Sequence, residues 1–175
     1  MKRLVLTLTL VLGIAATMIA QPRAIGGRLG NPIEFSYQHG IGSGFLEIDA
    51  GAFFYPALGV EAAVVYDWIF ASPNWTPKGT WDWYAGVGGA GGFGFREHWH
   101  HKDPEHVDHS WYYTGVAGQI GLSYTFWFPL QLSVDFRPTI GPAFYYDYEY
   151  GHYRPTFNAW GFFNFAIGVR YSFGN

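Results

Sequence analysis

The segment with the greatest capacity for chemistry runs from Arg96 to Ser110. It contains five of the seven histidines of the chain, interleaved with acidic residues. The histidines are His98, His100, His101, His106 and His109. Imidazole and carboxylate ligands suit zinc, copper or nickel, so the sequence predicts these five residues as ligands of a surface metal site. Two other interpretations stay open: a histidine-rich polar link that binds nothing, and a link that responds to pH because histidine titrates near neutrality.

Two further patterns could carry chemistry, and neither supports a catalytic site. Residues 86–91 (GVGGAG) match the G-x-G-x-x-G fingerprint, but a dinucleotide site needs a helix after these glycines, and a strand continues here. Ser110 beside His109 is the pair that could serve a lipid-modifying enzyme, and no recognised motif surrounds it. The sequence therefore predicts that the protein is not an enzyme.

Composition excludes several classes of protein. The 175 residues include no cysteine, which removes disulfide scaffolds, thiol catalysis and cysteine-based zinc fingers. Aromatic residues make up 21% of the chain and charged residues only 13%, the opposite of the composition that keeps chains disordered. The formal net charge of -3 provides no basic surface, which argues against nucleic acid as a partner.

The start of the chain has the pattern of a secretory signal peptide. Two basic residues open it, residues 4–18 are apolar, and Ala20 precedes the predicted cleavage point. Cleavage at a neighbouring alanine and retention as a membrane helix are the alternatives, although the apolar run is slightly short for a helix that spans. We therefore divide the chain into a signal peptide, 1–20, and one exported domain, 21–175.

The exported domain alternates between apolar and polar residues. In residues 163–173, six large apolar side chains occupy one parity, and smaller or polar residues occupy the other. The same alternation recurs in segments that begin near residues 46, 59, 116 and 130. A period of two places successive side chains on opposite faces, so each segment predicts a strand with one apolar and one polar face.

The polar faces favour a barrel that is apolar outside and polar inside. A water-soluble sheet with an apolar core also explains the alternation. The polar parity, however, is rich in glycine, alanine and serine, as a narrow lumen requires, and the whole chain has only three lysines. Seven tryptophans near predicted strand ends fit the aromatic girdles of transmembrane barrels. They are Trp68, Trp75, Trp81, Trp83, Trp111, Trp127 and Trp160.

Eight strands account for the exported domain. Bacterial outer-membrane barrels have an even number of strands, so residues 24–39 must supply two, separated at the turn signal Asn31-Pro32. The predicted strands are 24–30, 33–39, 44–55, 57–69, 80–96, 110–126, 130–144 and 157–173. The short links then lie in the periplasm and the long links, 97–109 and 145–156, lie outside. The sequence predicts an all-β, eight-stranded antiparallel up-and-down transmembrane β-barrel.

Five segments carry a resemblance to a known family. They are 27–30 (GRLG), 82–88 (DWYAGVG), 118–124 (GQIGLSY), 129–138 (PLQLSVDFRP) and 168–173 (GVRYSF). Together they resemble the small outer-membrane β-barrel proteins common in Bacteroidota. The resemblance covers most of the exported domain and implies an eight-stranded barrel in the outer membrane of a Gram-negative bacterium, inserted by the barrel assembly machinery. It implies no reaction.

The inward parity predicts an ionic network inside the barrel. Three arginines and seven acidic residues share it: Arg28, Arg137, Arg170, Glu34, Glu47, Asp49, Glu61, Asp67, Asp82 and Asp135. An eight-stranded barrel is just wide enough for side chains to fill, so these charges must be paired or hydrated. We expect Arg28 and Arg170 to meet across the seam between the first and last strands. A proton or cation path through the acidic surplus is the alternative interpretation.

Inward glycines should make room for large inward side chains. The glycines are Gly86, Gly88, Gly92 and Gly94, and the large side chains are Phe53, Tyr55 and Tyr84.

The sequence predicts a non-enzymatic barrel with a structural or surface-binding role. Its expected partners are outer-membrane lipids, the assembly machinery and an extracellular ligand that the sequence does not identify. The tyrosine-rich segment from Tyr145 to Pro155 favours anchoring at the membrane boundary over adhesion. The alternative functions are a narrow channel for small or hydrophobic solutes and an outer-membrane lipid-modifying enzyme.

Overall fold

The chain forms an eight-stranded antiparallel closed β-barrel. The computed structural model describes residues 22–55, 58–96, 109–147, 152–160 and 164–173. Its ten strand segments are β1 (Pro22–Leu29), β2 (Ile33–Ile41), β3 (Gly44–Phe53), β4 (Leu58–Ala71), β5 (Thr80–Arg96), β6 (His109–Thr125), β7 (Gln131–Phe136), β8 (Thr139–Asp147), β9 (His152–Trp160) and β10 (Phe165–Ser172). The predicted signal peptide, 1–20, lies outside the described residues.

Two of the eight barrel strands are interrupted. β7 and β8 pair with successive stretches of β6, so together they form one barrel strand. β10 pairs with β7 and β9 pairs with β8, so β9 and β10 together form the next barrel strand. The break between β7 and β8 falls at Arg137 and Pro138, where proline cannot donate to the ladder. The neighbouring backbone groups still pair, because Gly118 N donates to Pro138 O and Arg137 N donates to Asn164 O, both at 3.0 Å.

The barrel closes where the first and last strands pair. β1 runs antiparallel to β10, with Ile25 opposite Tyr171 and Arg28 opposite Gly168. Every other barrel strand pairs with its neighbours in sequence, as in an up-and-down meander. Closure leaves no free edge along this seam, which is how barrels avoid strand addition and aggregation.

The links divide between two ends of the barrel. The end that holds Pro22 and Ser172, here named the terminal end, also carries the links 42–43, 72–79 and 126–130. The opposite end, the far end, carries the remaining links. The turn predicted at Asn31-Pro32 is confirmed, since it lies between β1 and β2.

One predicted link is much shorter than expected. The pairing of β8 with β9 continues as far as Asp147 and His152, so most of the predicted outer link 145–156 belongs to strands. The link was predicted as the residues left between strands 130–144 and 157–173, but backbone pairing continues the hairpin through them. The last predicted strand, 157–173, accordingly begins earlier and is divided into β9 and β10.

The period-two prediction is confirmed by the alternation of burial. In β10 each even-numbered residue from Ala166 to Ser172 is buried and each odd-numbered residue is exposed. Buried positions face the lumen and carry small, polar or charged residues and a set of aromatic rings, while many outer positions are large and apolar. Within the described ranges, the chain contains no helix that is long and apolar enough to cross a membrane.

Glycines admit large side chains to the lumen, although the partners differ from those predicted. A Cβ on Gly94 would lie 2.5 Å from the Trp111 ring, and a Cβ on Gly92 would lie 2.5 Å from the Tyr113 ring. Tyr84 does enter the lumen, but it packs over a glycine of β6. The inward placement of Tyr55 is wrong: β3 ends at Phe53, and the Tyr55 side chain is 77% exposed.

Candidate functional site: the lumen of the barrel

Arg137 is the centre of the ionic network in the lumen. It lies at the break between β7 and β8 and is fully buried. Its Nη2 lies 2.5 Å from Glu34 Oε1 and 3.1 Å from Glu61 Oε1, and its Nη1 donates to Asp49 Oδ2. These carboxylates come from β2, β4 and β3. One guanidinium group therefore ties three strands of one side of the barrel to the opposite wall.

Arg28 of β1 extends the same network. Its Nη1 lies 2.7 Å from Glu34 Oε2, and its Nε donates to Asp135 Oδ1 at 2.7 Å. Asn164 accepts a further hydrogen bond from Nη1 at 3.2 Å. Glu34 thus bridges Arg28 and Arg137, one oxygen to each, which is how a carboxylate can offset two neighbouring positive charges.

Arg170 of β10 forms a second network nearer the terminal end. Its Nη2 lies 2.7 Å from Glu47 Oε1. Its Nε donates to Ser36 Oγ at 2.9 Å, and its Nη1 donates to Ser133 Oγ at 2.7 Å. Gln38 Nε2 donates to the other oxygen of Glu47 at 2.7 Å. Sequence reasoning missed the two serines and the glutamine, although all three share the inward parity with the charges.

The expected meeting of Arg28 and Arg170 at the seam is wrong. They lie on the paired strands β1 and β10, as predicted, but in diagonal register, since Arg28 is opposite Gly168 and Gly26 is opposite Arg170. Like charges repel, and each guanidinium group reaches into the lumen toward its own carboxylates.

Asp67 is the exception among the inward acids. It is completely buried, and its Oδ2 accepts only a long hydrogen bond from Gln119 Nε2 at 3.5 Å. Its Oδ1 has no hydrogen-bond partner, and among the described side chains no cation pairs with it. Gly86 makes room for this carboxyl, because a Cβ there would collide with Asp67 Oδ1. Burial without a countercharge is costly.

The terminal end of the lumen is closed by a pair that the sequence did not predict. Arg23 Nη2 lies 2.9 Å from Asp82 Oδ2, and Ser72 Oγ donates to Asp82 Oδ1 at 2.7 Å. The Arg23 guanidinium also lies 4.4 Å from the centre of the Phe45 ring. Arg23 was missed because the predicted first strand began one residue after it.

Aromatic rings fill the lumen toward the far end. Trp111 stacks on Tyr113 and on Tyr145, with ring centres 5.7 and 5.9 Å apart, and Phe53 lies 5.8 Å from Trp111. Tyr113 also donates its hydroxyl hydrogen to Glu61 Oε2. The prediction that Trp111 belongs to an outer girdle is wrong, because it is only 3% exposed and lies on the inward parity of β6.

The middle of the lumen is a polar core of paired charges. Arg28 and Arg137 are inaccessible to solvent, and apart from Asp67 every buried acid in the lumen has an arginine partner. Removing one member of such a network leaves a buried charge unpaired, which is strongly destabilising. The ionic network predicted from the sequence is thus confirmed, except at Asp67.

The predicted metal ligands fall almost entirely outside the described residues. His98, His100, His101 and His106 lie there, and His109 is the first residue of β6, with no description of its side chain. In the described part of the chain, no group of three or more metal-binding side chains occurs. The metal site stays a prediction from the sequence, and so does the catalytic alternative at Ser110.

Comparison with protein-family models, with curated proteins and with solved structures found no match to this chain.

Proposed function

We propose that this protein is an integral outer-membrane β-barrel with a structural or surface-binding role and no enzymatic activity. The observation that carries the proposal is the distribution of polarity between the two faces of the barrel wall. On the outside, Val116, Phe165 and Leu29 are 62%, 60% and 52% exposed. On the inside, the fully buried side chains include arginine, glutamate and aspartate. A water-soluble protein has the opposite arrangement.

Exposed large apolar residues lie on the outer wall of every barrel strand except β3, whose outward Leu46 and Ile48 are half-buried. Examples from different sides of the barrel are Phe35, Val64, Val87 and Val134. Monomeric soluble proteins rarely expose contiguous apolar patches of more than a few hundred Å². A closed barrel satisfies its backbone hydrogen bonds internally, which is the condition for a β structure in hydrocarbon. Both features suit a bilayer.

The outer membrane is the compartment that such a barrel would occupy. Transmembrane barrels of bacteria have an even number of strands and short links at the end that holds both termini. Here the terminal end carries three links, of which the longest is 72–79. The predicted signal peptide and an alternating last strand that precedes Phe173 agree with export and with insertion by the assembly machinery.

The lumen supports a structural role over a channel. Its middle is occupied by Arg28 and Arg137, its terminal end by Arg23 and its far end by Trp111 and its neighbours. Such packing within the described residues argues against a passage for solutes. A surface-binding role would fall to the links of the far end, which include the histidine-rich segment 97–108.

The experiment inserts arginine into the outer wall at two depths. Val64 lies at the middle of β4 and Phe70 near its end, and both side chains face outward. In a bilayer, Val64→Arg should cost about 2–4 kcal/mol of folding free energy, and Phe70→Arg about 0–1 kcal/mol. Urea unfolding of both variants in lipid vesicles measures this difference. On a water-exposed surface the two substitutions would have equally small effects, and that result would overturn the proposal.

A further inference from the structure

The link between β4 and β5 is folded against the outer wall at the terminal end. Thr76 Oγ1 and the Tyr124 hydroxyl both donate to Lys78 O at 2.8 Å, and Trp81 Nε1 donates to Thr76 Oγ1 at 3.2 Å. Gly79 follows with a φ of 74°, a conformation that favours glycine. The backbone of Lys78 is therefore fixed in position by the residues around it.

A continuous set of aromatic rings surrounds this link. Trp75 packs on Trp81 with ring centres 5.3 Å apart, Trp81 packs on Tyr124 at 4.6 Å, and Tyr124 packs on Phe126 at 4.5 Å. Trp127 continues the set on the next link, 5.9 Å from Phe126. Trp75 and Trp127 are 57% and 60% exposed, so the set presents an open apolar surface.

Lys78 is the one cation in this surface. Its Nζ lies 5.5 Å from the centre of the Trp127 ring. It is the only lysine in the described part of the chain, and no carboxylate there forms an ion pair with it. The arginines whose side chains are described all pair with acids in the lumen. An unpaired ammonium group beside exposed rings attracts an anion that also has an apolar part.

We propose that Lys78 and the rings of Trp75, Trp81 and Trp127 form a binding site for an anionic phospholipid. The lipid phosphate contacts the Lys78 ammonium group, and the acyl chains lie along the rings. This inference rests on the proposed function, because it needs the terminal end to lie at a membrane surface. There, basic groups attract anionic lipids and indole rings sit at the level of the headgroups. A soluble phosphate would gain nothing from the rings.

The test uses lipids that carry bromine on their acyl chains and quench nearby tryptophan. The full barrel is refolded into vesicles of phosphatidylcholine with a minor fraction of phosphatidylglycerol, and the same mole fraction of either lipid is brominated. In the wild-type protein, brominated phosphatidylglycerol should quench more than its share. From the usual attraction of one basic residue at a membrane surface, we expect about fivefold enrichment at the site.

Two substitutions at one position provide the matched comparison. Lys78→Gln should abolish the enrichment, whereas Lys78→Arg, which keeps the charge, should retain it. Enrichment that persists in Lys78→Gln would overturn the inference, as would its loss on addition of excess inorganic phosphate at constant ionic strength, which would indicate a soluble anion. Equal quenching by both lipids would overturn the lipid site and leave the membrane barrel standing. Absence of quenching by either lipid would overturn both.

Discussion

Arg170 of β10 spans the lumen to Glu47 of β3, with its Nη2 2.7 Å from Glu47 Oε1. β1 and β2 separate these two strands in the sheet, so the ion pair crosses the interior and does not join neighbouring strands. An ion pair across the lumen holds β3 and β10 at a fixed distance, whereas the hydrogen-bond ladders join only neighbouring strands.

Removing Arg170 from this ion pair should lower the stability of the barrel. Arg170→Leu leaves Glu47 as a buried carboxylate without its countercharge, and breaking a buried pair costs about 3–5 kcal/mol. Urea unfolding of the refolded barrel measures the loss. Glu47→Gln and the double variant complete a mutant cycle, in which the two losses should not add. Unchanged resistance to urea in Arg170→Leu would contradict a structural role for the network.

Removing the charge of Asp67 should have the opposite effect. Asp67→Asn keeps the shape of the side chain, and it eliminates a buried carboxyl with no cationic partner among the described residues. We expect the free energy of unfolding to rise by about 1–3 kcal/mol at neutral pH, because the neutral amide removes the cost of burying a carboxyl group that has no countercharge. Asp49→Asn is the matched control, since Asp49 is equally buried but pairs with Arg137, and this variant should be less stable. An unchanged midpoint for Asp67→Asn would contradict this expectation.

The inward glycines should tolerate no side chain where an aromatic ring covers them. Gly94→Ala would bring a Cβ to within 2.5 Å of the Trp111 ring and should cost about 1–3 kcal/mol through overpacking. Gly118→Ala is the control, because a Cβ at that position would contact nothing within 4 Å. Thermal unfolding of the two variants compares them directly. Equal stability would show that Trp111 can move aside at no cost.

Metal binding by the histidine-rich segment is predicted from the sequence alone. Calorimetric titration of zinc, copper or nickel into the refolded barrel should show binding that disappears when the five histidines are replaced by alanine. Those residues are His98, His100, His101, His106 and His109. Heat changes that are the same in both proteins would remove the metal site and leave a polar link.

Much of the fold could be predicted because a strand has a simple period. Alternating polarity identifies which side chains of β10 face inward without any knowledge of its neighbours. The turn at Asn31-Pro32 followed from the need for an even number of strands. The exact ends of the strands were less predictable. β8 and β9 extend to Asp147 and His152 because their backbones continue to pair there, and backbone pairing does not depend on the alternation of side-chain polarity.

The partners inside the lumen were harder to predict than its composition. The inward parity identified Glu34, Glu61 and Arg137 as members of a network, but not which of them would touch. Contacts across the lumen depend on the stagger of strands that are not neighbours, and the sequence pattern of one strand carries no information on that stagger. The error at Trp111 has a different cause: it was assigned to the outside from its place near a strand end, although its parity in β6 places it inside.

The ion pairs also connect parts of the chain that are made at very different times. Arg28 pairs with a residue 107 positions later, and Arg170 pairs with one 123 positions earlier. A chain that stops before β10 would lack both the closing strand and the countercharge of Glu47. Incomplete barrels would then carry exposed backbone edges and unpaired acids. The addition of β10 should therefore complete the closing ladder and the Arg170–Glu47 pair together, and contacts between such distant parts of the chain make this a slow step of folding.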